Sequence, residues 1–171
     1  MKYYTGIGSR NTPDRILSVL EVIGETLAIY GLCLRSGAAK CADQAFEKGC
    51  DKVGGKKQIF LPWPSFEGHS SELCVPSKKS YNYVYKFHPN PYSLKPGAFR
   101  LHARNAHQIL GENLKSKSIF VVCWTKSKGG TEQALRIARK LEIPIYNLYC
   151  EDHVREFWNM FENKILKNAK S

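Results

Sequence analysis

Residues 3–13 read Tyr-Tyr-Thr-Gly-Ile-Gly-Ser-Arg-Asn-Thr-Pro. A short apolar run, Tyr3–Ile7, closes in Gly6-Ile7-Gly8-Ser9-Arg10. Thr12-Pro13-Asp14 then offers an N-cap, a proline at the first helical position and an acid in the first turn. Ile16, Leu20, Ile23, Leu27 and Tyr30 follow at helical spacing, and Gly31 supplies a stop. A strand, a glycine turn and a helix in that order predict the first unit of an α/β sheet.

The unit recurs along the chain. Leu32–Arg35 reads as a second strand and residues 36–49, SGAAKCADQAFEKG, as a turn and helix. Gln58–Leu61 is a third strand. A helix opens near Pro96-Gly97 with Phe99, Ala103, Ala106 and Leu110 on one face. Ser118–Trp124 is a continuous apolar run, as a parallel strand covered on both faces requires. Gly129-Gly130-Thr131 opens a further helix, Ile143–Leu148 is a fifth strand, and residues 152–167 form a closing helix. Strands alternating with helices imply right-handed crossovers and a Rossmann-like open parallel sheet of about five strands, with helices on both faces. No internal repeat or boundary divides the chain, so one domain is expected over residues 1–171. Residues 62–97 interrupt it as a long aromatic-rich insertion. Tyr81, Tyr83, Tyr85 and Phe87 alternate there, and an extended segment would present all four on one face.

With 171 residues, 43% of them apolar, the chain can bury one real core. The first residues show no signal-peptide pattern, and no apolar run approaches the roughly 20 residues of a membrane span. A soluble cytoplasmic protein without membrane attachment is therefore expected. The six cysteines include no C-x-x-C pair and the histidines show no ligand spacing, so reduced thiols, no metal and no cofactor are expected. The net charge is +11 and uneven, +3 over residues 1–85 and +8 over residues 86–171. A basic second half suits an anionic partner.

Ligands of open parallel sheets bind beyond the carboxyl ends of the strands. The segments predicted at that edge are Gly6-Ile7-Gly8-Ser9-Arg10; Ser36-Gly37-Ala38-Ala39; Trp124-Thr125; and Gly129-Gly130-Thr131, with Gly6, Gly8, Ser9, Arg10, Ser36, Gly37, Ala38, Trp124, Thr125, Gly129, Gly130 and Thr131 as ligand contacts. Three of them lead into helix starts, where free N–H groups and the helix dipole favour an anion, and glycine permits close approach. The helix from residue 97 adds Arg100, Arg104 and His107 at i, i+4 and i+7, with Asn105 beside them. Two guanidinium groups on one side suit phosphate. The candidate acids are Asp43, Glu47 and Glu132; Asp43 and Glu47 share a helix face. The first turn lacks the third glycine of a dinucleotide fingerprint, and no segment is a G-x-x-x-x-G-K-[ST] loop.

The motifs TGIGSRNTP, LRSGAAKCADQAFEKG, IFLPW, LHARN and VVCWT…GGTEQALRIARKLEIPIYNL resemble the SLOG superfamily of Rossmann-like nucleotide-binding proteins. Within it they are similar to the short DNA-processing protein A (DprA)-like members of phage genomes. The resemblance spans residues 3–148. It implies a nucleotide or nucleotide-derived molecule at the strand edge, in a sensing or sequestering role that would suit phage–host conflict and anti-defence, in the host cytoplasm if the protein is phage-encoded. It implies two alternatives as well. One is a recombination mediator gripping single-stranded DNA, with Lys115, Lys126, Lys128, Arg136 and Arg139 as phosphate contacts. The other is a phosphoribohydrolase that cleaves an N-glycosidic bond, with Arg104 on the phosphate and Asp43 or Glu132 acting on the ribose. The hydrolase pattern P-G-G-x-G-T-x-x-E ends in a glutamate where this chain has Ala134. A homo-oligomer is also expected.

Overall fold

The computed structural model describes residues 1–74, 76–126 and 129–166. Its five strands are β1 (Tyr3–Gly8), β2 (Cys33–Ser36), β3 (Lys57–Ile59), β4 (Val121–Trp124) and β5 (Ile145–Asn147). They form one sheet in the order β3-β2-β1-β4-β5, and every pairing is parallel. β1 is central, with Tyr4 opposite Leu34 of β2 and Gly8 opposite Trp124 of β4. Strand order reverses on either side of it, which places the switch point at the end of the glycine-rich first strand.

Six helices cover the sheet: α1 (Asp14–Ile29), α2 (Ala42–Lys52), α3 (Lys78–Phe87), α4 (Pro96–Leu110), α5 (Gly130–Lys140) and α6 (Glu151–Met160). Side chains alternate across each strand. Tyr4, Leu34, Val122 and Trp124 face one core with α1, α2 and α6. Ile7, Val121 and Cys123 face a second core with α4 and α5. α1 and α2 approach closely because Gly24 and Gly49 bring no side chains between them; a Cβ on Gly49 would strike the Glu21 carbonyl. Lys48 and Lys52 bridge the same pair of helices through Glu21.

Local details differ from the sequence reading in three places. Thr12 does not cap α1: its hydroxyl donates to the Ser9 carbonyl at 2.6 Å, and Pro13 occupies the N-cap. The alternating aromatics are not extended. They lie on α3, which a Ser77–Ser80 capping box starts and which packs against α4 and α5. The closing helix runs Glu151–Met160 and continues as a π-helical stretch over Phe161–Leu166; its expected end at residue 167 lies outside the described residues, as does Lys128. All six cysteines are free thiols, with Cys33, Cys50 and Cys123 buried. Among the described residues no helix is long and apolar enough to cross a membrane.

Candidate functional site

Three strand-to-helix turns meet α4 around a cavity of about 340 Å³. The β1–α1 turn contributes Ile7, Gly8, Ser9 and Arg10. The approach to α2 contributes Ala39 and Asp43, and the start of α5 contributes Gly129, Gly130 and Thr131. α4 closes the remaining side with Ala98, Leu101, His102, Arg104, Asn105 and Gln108. α5 begins at Gly130 behind Gly129, whose φ of +77° suits glycine, and no side chain caps it. Its first N–H groups therefore lack intrahelical partners beside the cavity.

Asp43 and Arg104 supply the charge of the site, and both are buried. Asp43 Oδ1 accepts from the Gly8 N–H at 3.2 Å and Oδ2 from Gln108 Nε2 at 3.3 Å. Burial pushes its carboxyl up to about 6, against the opposing pull of Arg104 and of hydrogen bonds from Gly8, Ala39 and Gln108. Arg104 donates through Nε to Asn105 Oδ1 at 3.1 Å and through Nη1 to the carbonyls of Gly37 and Phe60. Burial lowers it to about 10, so it remains a cation at neutral pH. It takes part in none of the ion pairs among the described residues. Its Nη2 is used by none of those three hydrogen bonds. Asn105 Nδ2 in turn donates to the Gly130 carbonyl at 2.8 Å and ties α4 to the α5 start.

Of the candidates from the sequence, the fold brings Gly8, Ser9, Arg10, Asp43, Arg104, Asn105, Gly129, Gly130 and Thr131 together around this cavity. The remaining candidates stand around or away from the cavity. Gly6 lies inside β1, where a Cβ would meet Phe46 at 2.7 Å; its carbonyl accepts from the buried Ser36 hydroxyl. Gly37 leaves room for the Arg104 guanidinium, and Ala38 is buried with φ +58°. Trp124 packs edge-on against Tyr149, while Asn147 holds Thr125 through its backbone N–H and carbonyl. Arg100 donates to the Pro62 carbonyl. His107 is buried, with its ring against Phe60 and Nδ1 facing the Gly111 carbonyl. The stripe Arg100–Arg104–His107 therefore diverges, and Arg104 alone reaches the cavity. Glu132 pairs with Arg139 outside it, and Glu47 pairs with Lys57 and His69.

Ile7 and Ala39 line the cavity from within two of the predicted segments, and Ala98, Leu101, His102 and Gln108 line it without having been singled out for it. The signal was in α4: residues 98, 101, 102, 105 and 108 recur at helical spacing beside the core stripe. His102 is held neutral, down at about 4, by burial and by neighbouring His88, Arg136 and Arg104. A second cavity, about 470 Å³, runs along the β5 edge between Leu135, Ile143, Ile145 and His153. It holds no buried charge, whereas the first has two.

No protein-family model matches the sequence, and no curated protein matches it. Two solved structures share the fold. The Moco carrier protein of Chlamydomonas rheinhardtii aligns over 96% of this chain and 86% of its own, at 15% identity and a TM-score of 0.54. DNA processing protein A (DprA) of Streptococcus pneumoniae aligns over 85% of this chain at 20% identity and a TM-score of 0.56. This chain spans about half of DprA, 49% of its length. What these neighbours and the strand order define is the fold, a Rossmann-like open parallel sheet.

Proposed function

We propose that the cavity binds a phosphate-bearing nucleotide or nucleotide-derived molecule, and that the protein senses or sequesters it. The observation that carries this reading is Arg104: a buried cation without an ion pair among the described residues, lining a cavity that the uncapped start of α5 also enters. A buried charge is costly unless compensated; the nearby Asp43 carboxyl offsets this one only in part, and an anionic ligand would add to that compensation. Asp43 would accept from a ribose hydroxyl. One fold neighbour is named as a carrier of Moco and the other for processing DNA, so both names are compatible with such a ligand. The cytoplasmic setting, the homo-oligomer and the role in phage–host conflict expected from the sequence belong to the same proposal.

The test is mass spectrometry of small molecules released from the heat-denatured protein, beside a thermal-shift screen of nucleoside monophosphates and their nucleosides. Arg104→Ala should weaken the monophosphate about tenfold or more, since a charge-assisted hydrogen bond is worth roughly 1.5–3 kcal/mol, and leave the nucleoside unchanged. Equal losses for both would remove Arg104 from the phosphate.

One observation favours a second reading. Asp43, withdrawn from water beside the cavity and held at about 6, can carry a proton near neutral pH, as a general acid in N-glycosidic hydrolysis must. Release of free base from a monophosphate, abolished by Asp43→Asn, would favour that enzyme.

A further inference from the structure

Beside the cavity one carboxylate holds two cations. Glu67 Oε1 lies 3.9 Å from Arg10 Nη2, and its Oε2 lies 3.6 Å from Lys40 Nζ. Arg10 lines the cavity, and Lys40 adjoins Ala39, which lines it too. Neither cation has another ion-pair partner among the described residues. Both pairs are longer than a hydrogen bond, and the side chains of Arg10 and Lys40 are 56% and 69% exposed. Exposed pairs of this kind add little to stability. Glu67 is therefore an anion that a better one can replace.

The turn that carries Glu67 also touches the deeper cation. Phe66 is buried, with its ring 5.7 Å from the Arg104 guanidinium carbon and edge-on to Trp63. Ser65 and Glu67 take φ of +57° and +50°, a region that side chains disfavour, so contacts fix this turn rather than local preference. Arg100 anchors its approach through the Pro62 carbonyl. Arg10 and Arg104 both line the cavity, and the charge of Arg10 helps to lower Arg104. An anion that meets both relieves that repulsion.

We propose that Glu67 is an internal counter-anion, held by Arg10 and Lys40 until a second phosphate of the ligand replaces it, so that the site selects a nucleoside diphosphate over a monophosphate. The proposal rests on the cavity reading and extends it. Arg104 and the α5 start take one phosphate; Arg10 and Lys40 take the next. A monophosphate held at Arg104 leaves Glu67 in place. A second phosphate offers Arg10 two oxygens at once, which the single loose contact of Glu67 does not. The Glu67 side chain needs only to rotate into water, while Phe66 stays buried.

Titration calorimetry with AMP and ADP, beside GMP and GDP, in buffer free of divalent cations tests it. An exposed ion pair shifts an equilibrium by at most about fivefold, which sets the scale of each effect. The wild type should bind the diphosphate about fivefold or more tighter than the monophosphate. Glu67→Gln should tighten the diphosphate about threefold to fivefold and leave the monophosphate within about twofold. Glu112→Gln removes the same charge from an exposed acid that does not line the cavity, and should change neither by more than about twofold. Lys40→Gln should weaken the diphosphate about threefold and spare the monophosphate. Equal affinity for the two, both lost with Arg104→Ala, overturns this proposal and keeps the cavity reading. So does a Glu67→Gln gain that is shared by the monophosphate or matched by Glu112→Gln, or a Lys40→Gln protein that keeps the full preference. Absence of all binding, or binding that Arg104→Ala leaves untouched, overturns the cavity reading and this one with it.

Discussion

Asp43 has its carboxyl almost wholly withdrawn from water in the folded chain, whereas the unfolded chain leaves it solvated. Its folded value of about 6 lies above the ordinary 3.8, so the folded state keeps a proton that the unfolded chain has already lost. The stability contributed by that proton is full below about pH 4, falls as pH rises through about 6, and is absent above it. Roughly two pH units at 1.36 kcal/mol each set the loss at about 3 kcal/mol. Asp43→Asn removes the titration and keeps an oxygen for the Gly8 N–H. Denaturant unfolding at about pH 4.5, where about a third of the effect is already spent, and at about pH 8 should show the wild type losing about 2 kcal/mol more than the variant on going to the higher pH. Identical pH dependence in the two proteins would mean that Asp43 is ionised throughout. The same burial that raises Asp43 leaves Arg104 a cation, so the site joins an acid that titrates near neutral pH to a base that does not.

At the scale of elements, glycines that look alike in the sequence have different tasks. A Cβ on Gly8 would meet the Ala42 Cβ at 2.5 Å, so this glycine seats α2 against β1 as well as lining the cavity. Gly130 has open space where its Cβ would be and also lines the cavity. Gly130→Val should therefore fold with a Tm close to wild type and lose the ligand that thermal-shift screening identifies. Gly8→Val should lose stability by about 1–3 kcal/mol, because overpacking forces β1 and α2 apart. Full ligand affinity in folded Gly130→Val would take the α5 start out of the site. This division explains how much was legible beforehand. Apolar runs, caps and glycine turns located all five strands, and the three turns at one edge follow from parallel topology. Spacing along α4 put Arg100, Arg104 and His107 near one another but not their rotation about the packed helix. The core buries His107, the Pro62 carbonyl engages Arg100, and the cavity keeps Arg104. In α3 the period of two in Tyr81, Tyr83, Tyr85 and Phe87 masked the three-to-four spacing of Ser80, Val84 and Phe87. Packing against α4 and α5 decided between the two.

The whole molecule carries a net charge of +11, which attracts any anion and by itself distinguishes none. What separates an enclosed ligand from a surface one is how many counterions its binding releases. In the cavity one buried guanidinium and the backbone groups of the α5 start would face the proposed ligand, so about one phosphate would be neutralised. At a slope of about −0.7 per phosphate, a nucleoside monophosphate should lose about threefold at most in affinity between about 50 and 200 mM salt. Exposed lysines behave otherwise: each phosphate met at the surface adds its own increment, and four such contacts would compound to roughly fiftyfold for a single strand. Titration calorimetry with the monophosphate, run at the same two salt concentrations as fluorescence anisotropy of a labelled oligonucleotide, compares the slopes directly. A nucleotide whose affinity falls in parallel with the strand, and which Arg104→Ala leaves untouched, would be held by surface lysines rather than by the cavity. A shallow slope lost together with Arg104 would place the charge of the ligand on that one buried cation.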